Sequence, residues 1–195
     1  LSLSLSLSLS LLICNLPYVV VGLNWLYLLH TKRMNGILAD ESMNTPPSVP
    51  PCSFHTHIFN NLVGLGKTIQ TISLFALLRS KGITGPHLVV VPAQVSAYFS
   101  PFKDMLTISI FLFIALSNWA RELNTWCPSL KVVQYYGDQV SRRQMAKELK
   151  RLPPDHYNVW LTTYNVANAA KDRPFLKNRE FEYLILGKLF TPPLH

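Results

Sequence analysis

Gly64-Leu65-Gly66-Lys67-Thr68 is the stretch of this chain whose residue types and spacing could handle a phosphate. Glycines let backbone N–H groups come close to an anion. The apolar pattern that starts at Lys67 predicts a helix, and a helix N-terminus adds partial positive charge at that point. Lys67 would reach the β- and γ-phosphates of a nucleotide, and the Thr68 hydroxyl would coordinate Mg²⁺. A full G-x-x-x-x-G-K-[ST] pattern needs glycine at position 61, where the chain has Asn61. The match is therefore to the shorter G-x-G-K-T form.

Other reactive residue types are less well placed. Cys52, His55 and His57 lie close together, but structural zinc needs four ligands and no second paired half is present. Cys14, Cys52 and Cys127 have no paired spacing, which speaks against a disulfide framework and for a reducing compartment. Trp119 and Trp126 fall seven apart on one helix face, as core residues do. Arg142, Arg143, Lys147, Lys150 and Arg151 form a basic helical run, read first as a solvated face and otherwise as an addition to a nucleic-acid contact. Asp138 and Glu148 have no spacing that signals acid–base work.

The elements that must position the glycine turn alternate along the chain. Gly36-Ile37-Leu38-Ala39-Asp40 reads as a short strand ending in an acid. Residues 42–63 carry Pro46, Pro47, Pro50 and Pro51, which excludes helix and central strand. A helix runs from Lys67 with Ile69, Ile72, Leu74, Phe75, Leu77 and Leu78 as a broad apolar face, and Gly82 stops it. His87–Val91 is a β-branched run halted by Pro92, hence a buried strand. Asn118–Trp126 reads as a helix, Lys131–Tyr135 as a strand and Gln139–Arg151 as a polar helix. Asn158–Thr163 and Tyr183–Leu186 are two further strands. This order implies parallel strands with helical crossovers, an α/β layered domain. Ligands in such sheets bind at the carboxyl ends of the strands.

The 195 residues suffice for one domain with a sizeable core, and 49% hydrophobic against 14% charged residues reads as globular. A net charge of +8 favours acidic partners, nucleic acid or anionic membrane, without choosing between them. The Leu-Ser alternation of residues 1–10 is low complexity, and residues 1–17 are set apart from the domain. Met105–Leu116 is apolar but shorter than the roughly 20 residues that span a bilayer. It reads as a buried helix or as sequence foreign to the domain, and no membrane partner is expected.

Several blocks, taken in order, resemble the first RecA-like lobe of SNF2-family ATPases. Tyr18–Leu29, with Val21-Gly22-Leu23-Asn24-Trp25-Leu26, resembles the family's opening block. Asn35–Glu41 resembles the strand leading into motif I, and residues 64–71 resemble the rest of that motif. Gly85–Ala93 and Ser117-Asn118-Trp119 resemble motif Ia. Leu161-Thr162-Thr163-Tyr164 resembles motif Ib. Asn124–Gly137 is most similar to the SMARCAD class of chromatin remodellers. The resemblance covers roughly three quarters of the chain. It implies a P-loop RecA-like lobe, a parallel sheet flanked by helices, with ATP and Mg²⁺ as cofactors. The implied nucleotide-binding residues are Asp40, Glu41, Gly64, Leu65, Gly66, Lys67 and Thr68, with Thr68 on the metal and Lys67 and Thr68 serving catalysis. Duplex DNA would meet Pro92, Ala93, Ser117, Asn118, Thr162, Thr163 and Tyr164. Nucleosomes are the implied partner and the nucleus the implied location.

The chain departs from the family pattern at definite points. Residues 42–63 separate Glu41 from Gly64, and residues 94–116 separate Ala93 from Ser117, where the family runs on without a break. Both inserts are expected to be irregular, as is the N-terminal segment. Val19 replaces the family's opening Gln. After Tyr183–Leu186 the family places DEGH or DEAH, whereas Gly187-Lys188 follows here. Gln94-Val95-Ser96 and Gly187-Lys188 can both be encoded as splice donors, so the inserts and the tail 187–195 are read as translated intron sequence; the alternative is that the inserts are real surface loops, with 42–63 bulging outward before Gly64. The lobe is then expected over residues 18–186, without motif II acids or the second lobe, and without useful ATP hydrolysis. The alternative expectation is a non-catalytic DNA- or nucleosome-binding fragment.

Overall fold

A computed structural model describes residues 17–38, 66–92 and 105–187, with side chains described at 19–38, 66–92 and 116–187. The chain divides into two compact units, Leu1–Leu77 and Leu78–His195.

In the first unit, helix α1 spans Pro17–Lys32. A proline in its opening position costs no hydrogen bond, because that N–H has no helical acceptor. The helix ends where Arg33 takes φ 53° and the Met34 N–H donates to the Leu29 carbonyl at 2.9 Å. The chain then folds back on α1. A Cβ on Gly36 would lie 2.2 Å from Leu29 Cδ1 and 2.8 Å from the Trp25 ring, so the approach needs glycine. Helix α2 spans Lys67–Ser80 and continues past the unit boundary. Ile69 and Gln70 to Leu78 are all buried along it. Gly22 of α1 lies so close to α2 that a Cβ there would stand 2.1 Å from Gln70 Oε1. The glycine of the opening block thus lets α1 lie tightly against the first turn of α2.

The second unit is built on four strands, β1 (His87–Val91), β2 (Val132–Gln134), β3 (Val159–Thr163) and β4 (Tyr183–Leu186). They form one sheet in the order β2-β3-β1-β4, and every pairing is parallel. His87 sits beside Val159 on one flank and Tyr183 on the other. Parallel neighbours demand crossovers. Helix α3 (Met105–Trp126) links β1 to β2, and helix α4 (Gln139–Arg151) links β2 to β3. The short helices α5 (Tyr164–Asn168) and α6 (Arg173–Lys177) link β3 to β4.

Strands β1 and β3 are buried at every position. Their β-branched and apolar runs lack alternation because both faces are covered. One core cluster joins Leu88, Val90, Tyr135, Leu149, Trp160, Val166 and Leu176. The Arg179 guanidinium lies 4.4 Å from the Trp160 ring and also donates to the Leu149 carbonyl. Asn158 pins the amino ends of the strands. Its Oδ1 accepts from the Lys131 N–H at 2.9 Å and its Nδ2 donates to the Thr84 carbonyl at 2.8 Å.

Two expectations are corrected. The helix expected over 118–126 begins at Met105 and runs for 22 residues without interruption. Residues 105–116, taken as part of an irregular insert, are therefore regular helix: the apolar run is continuous with the amphipathic turn after it. The strand expected over 36–40 is not formed at Gly36–Leu38. Those residues pair with no strand among the described residues, and Ile37 is 85% exposed. Residues 42–63, residues 94–104, the N-terminal repeat and residues 188–195 lie outside the described residues, as do Cys52, His55 and His57.

Candidate functional site

Gly66, Lys67 and Thr68 form the turn into α2. Gly66 has φ 73°, a left-handed conformation that a side chain strains, and its carbonyl accepts the Gln70 N–H at 2.8 Å. It therefore closes the first helical turn from outside the helix. Lys67 and Thr68 fall on the first turn of the 14-residue helix, half-buried, where backbone N–H groups have no helical acceptor. The Thr71 hydroxyl donates to the Lys67 carbonyl at 2.9 Å and ties that turn down. This helix start is where the sequence predicts an anion. Asp40, Glu41, Gly64 and Leu65, the other expected nucleotide-binding residues, lie outside the described residues, as does Ala93.

In the second unit, the carboxyl ends of β1, β3 and β4 gather Pro92, Thr163, Tyr164 and Gly187. The Gly187 N–H donates to the Val90 carbonyl at 2.9 Å. A Cβ on Gly187 would stand 3.1 Å from Pro92 Cδ and 3.4 Å from the Val90 oxygen. The Tyr164 hydroxyl donates to the Gly187 carbonyl at 2.8 Å. Burial pushes that phenol above its ordinary pKa, so it stays protonated and a donor at neutral pH.

The hydroxyls expected to hold phosphates are otherwise engaged. The Thr162 hydroxyl is fully buried and donates to the Tyr135 carbonyl at 2.9 Å. Thr163 is fully buried too, and its Oγ1 accepts the Val166 N–H at 3.3 Å, capping α5. Asn165 beside them is exposed. Ser117 and Asn118 are half-buried in the interior of α3, not at its start. Mid-helix N–H groups already serve carbonyls four residues back, which removes them as phosphate donors. The Asn118 side-chain oxygen accepts from Arg121 at 2.9 Å.

A buried cluster missed by the sequence reading sits beyond the ends of β2 and β3. Asp172, 5% exposed, accepts the Tyr135 hydroxyl at 2.8 Å and the Arg142 guanidinium at 3.1 and 2.8 Å. Burial pushes the Asp172 carboxyl up. Hydrogen bonds from Arg142 and Tyr135 and the nearby charges of Arg142 and Arg143 outweigh it and hold the carboxyl below its ordinary range. Burial and the bond to Asp172 push the Tyr135 phenol well up. Arg142, read as one of a solvated basic run, is thus a structural residue, whereas Arg143, Lys147, Lys150 and Arg151 are exposed. Among the described residues, no group of three or more His, Cys, Asp or Glu could hold a metal ion. No helix among them is long and apolar enough to cross a membrane.

A parallel sheet with helical crossovers, in a chain with a glycine–lysine–threonine turn opening a helix, defines an α/β lobe of the RecA-like class. The Sulfolobus solfataricus SWI2/SNF2 ATPase core domain has a similar fold, with a TM-score of 0.55 at 23% identity, over 88% of this chain and 24% of that one. The same core in complex with dsDNA gives a TM-score of 0.50 at 21% identity, over 88% and 31%. No protein-family profile matches the chain. Among curated proteins, the ATP-dependent helicase fft3 of Schizosaccharomyces pombe is 38% identical over 169 residues, 86% of this chain and 14% of that protein. The human SWI/SNF-related matrix-associated actin-dependent regulator of chromatin subfamily A containing DEAD/H box 1 is 39% identical over 173 residues, 88% of this chain and 13% of that protein. These homologues are SNF2-family ATP-dependent helicases and chromatin regulators. The chain spans only 13–14% of the length of the two relatives.

Proposed function

We propose that this chain is an ATP-binding lobe of a SNF2-type DNA translocase, one that binds nucleotide but turns it over too slowly to be useful. The observation that carries the reading is the turn at Gly66, which sets Lys67 and Thr68 at the start of α2 in a chain homologous to ATP-dependent helicases. Lys67 would contact the β- and γ-phosphates and Thr68 the Mg²⁺ that bridges them. Asp40, Glu41, Gly64 and Leu65 complete the proposed nucleotide set.

Hydrolysis needs an acid to hold the metal and orient water. The resemblance puts acids directly after β4, where this chain carries Gly187 and Lys188. Gly187 also has little room for a side chain beside Pro92. These two residues equally favour a second reading, in which the chain binds DNA or nucleosomes without catalysis.

Duplex DNA is the proposed polyanionic partner, at the carboxyl ends of β1 and β3 near Pro92, Ala93, Thr163 and Tyr164. Since the Thr162 and Tyr164 hydroxyls are engaged, backbone groups and the exposed Asn165 would carry the contact, without reading bases. Ser117 and Asn118 would contribute through side chains alone. Chromatin relatives support the nucleus as location and nucleosomes as the form of DNA met there. A phosphate-release assay with Mg²⁺-ATP and duplex DNA tests the catalytic part. No DNA-stimulated turnover is expected, and turnover abolished by Lys67→Ala would overturn it.

A further inference from the structure

β1 lies between β3 and β4 in the sheet, so the bond from Tyr164, just after β3, to Gly187, just after β4, spans the end of β1. Gly187 is tied to β1 as well, through its N–H to Val90. A phenol has one hydrogen to donate. Here it goes to the Gly187 carbonyl, and a phosphate could take it only by breaking that bond.

We propose that Tyr164 is a positioning residue and not a DNA contact: its phenol couples the backbone that receives a duplex phosphate after β3 to the backbone that leaves β4. The proposal rests on the DNA reading above. The segment after β4 starts at a carbonyl whose direction the phenol fixes. A phosphate drawn to the backbone at 163–165 would steady Tyr164 and, through it, Gly187. Loosening Gly187 would in turn loosen the phosphate-binding turn, since such coupling is reciprocal.

The test is amide hydrogen exchange on the full chain and on Tyr164→Phe, alone and with a mixed-sequence DNA duplex. Without DNA, the variant should exchange the Gly187 amide about three- to tenfold faster, the range expected for one lost hydrogen bond. The amides of Val89 and Leu161 should not change. With DNA, the Gly187 amide should slow in the wild type and not in the variant. Gly187→Ala crowds Pro92 and displaces the same carbonyl with the phenol intact. It should give the same loss of response, and the double variant should be no worse than either single one.

Equal Gly187 exchange in wild type and both variants without DNA would overturn the tether. Duplex binding that leaves Gly187 unchanged, or slows it equally in the variants, would overturn the coupling alone. A wild-type chain that binds no duplex, yet shows faster Gly187 exchange in the variants, would overturn the DNA reading and the coupling with it, leaving the tether standing.

Discussion

Removing the Asp172 carboxylate should cost more stability than any other single change of charge among the described residues of the second unit. Its two oxygens accept three hydrogen bonds, two from the Arg142 guanidinium and one from Tyr135, which is 1% exposed. The Arg142 and Asp172 side chains are 13% and 7% exposed, so solvent screens the pair little. Asp172→Ala would leave a buried phenol and a mostly buried guanidinium without acceptors. Breaking a buried pair from one side costs about 3–5 kcal/mol, and the remaining exposure of Arg142 favours the lower end, about 3 kcal/mol. For a chain of this size that lowers Tm by about 6–12 °C. Asp172→Asn keeps an acceptor for Tyr135 and should lose about half as much. The pH dependence has a definite sign. The folded carboxyl is held below its unfolded value of about 3.9, so its contribution is complete above that value. The contribution disappears as pH falls through the lower folded value, and melts of Asp172→Asn should show a shallower acid slope there. Thermal melts at neutral pH, closed into a double-mutant cycle with Arg142→Ala, measure the pair. A coupling below about 1 kcal/mol, the value of an exposed surface pair, would refute the account of a buried clamp.

His87 supplies a separate acid response. It is 1% exposed, and burial lowers its pKa to about 4, so the folded chain keeps it neutral. The unfolded chain binds more protons between about 6.5 and that value, so stability is full above pH 6.5 and falls as pH drops toward 4, by up to about 3 kcal/mol. His87→Gln should flatten that part of a stability-versus-pH curve, and an unchanged curve would contradict the assignment. Gly66→Ala forces a side chain into φ 73°, at a cost of about 1–2 kcal/mol. It should lower Tm and weaken nucleotide binding together, and a variant with unaltered nucleotide affinity would show that the turn does not shape the site.

Much of this fold was legible from short apolar runs bounded by turn residues, and two of the strands, β1 and β3, are buried at every position. His87–Val91 and Tyr183–Leu186 carry uninterrupted apolar runs, and the structure forms them at those bounds. Gln139–Arg151 was equally clear, since Asp138 accepts the Ser141 N–H as a helix cap and Pro153 follows. Of the readings of Met105–Leu116, helix is the one the structure forms, and the irregular insert implied by the break in the family pattern at residue 94 is not found over 105–116. The strand expected over 36–40 is absent at Gly36–Leu38, where the run follows a helix with Ile37 exposed and pairs with no strand among the described residues. Site legibility followed the same division. Lys67 and Thr68 could be placed because a glycine before a helix is a local signal. The engagement of Thr162 by Tyr135, of Tyr164 by Gly187 and of Arg142 by Asp172 joins residues 23 to 30 positions apart. No periodicity encodes such pairs, which only the tertiary packing of strands and crossovers brings together.

The central claim is that the turn at Gly66 presents Lys67 and Thr68 to ATP. Thermal melting of the full chain with and without Mg²⁺-ATP, beside Lys67→Ala, tests it most directly. At about a hundred times the dissociation constant, a ligand that binds only the folded chain adds about 2.7 kcal/mol, or about 5–10 °C in Tm for this length. The account predicts that rise for the wild type, its dependence on Mg²⁺, and its loss in Lys67→Ala. A wild-type Tm unmoved by Mg²⁺-ATP, or a rise that survives Lys67→Ala, would contradict it.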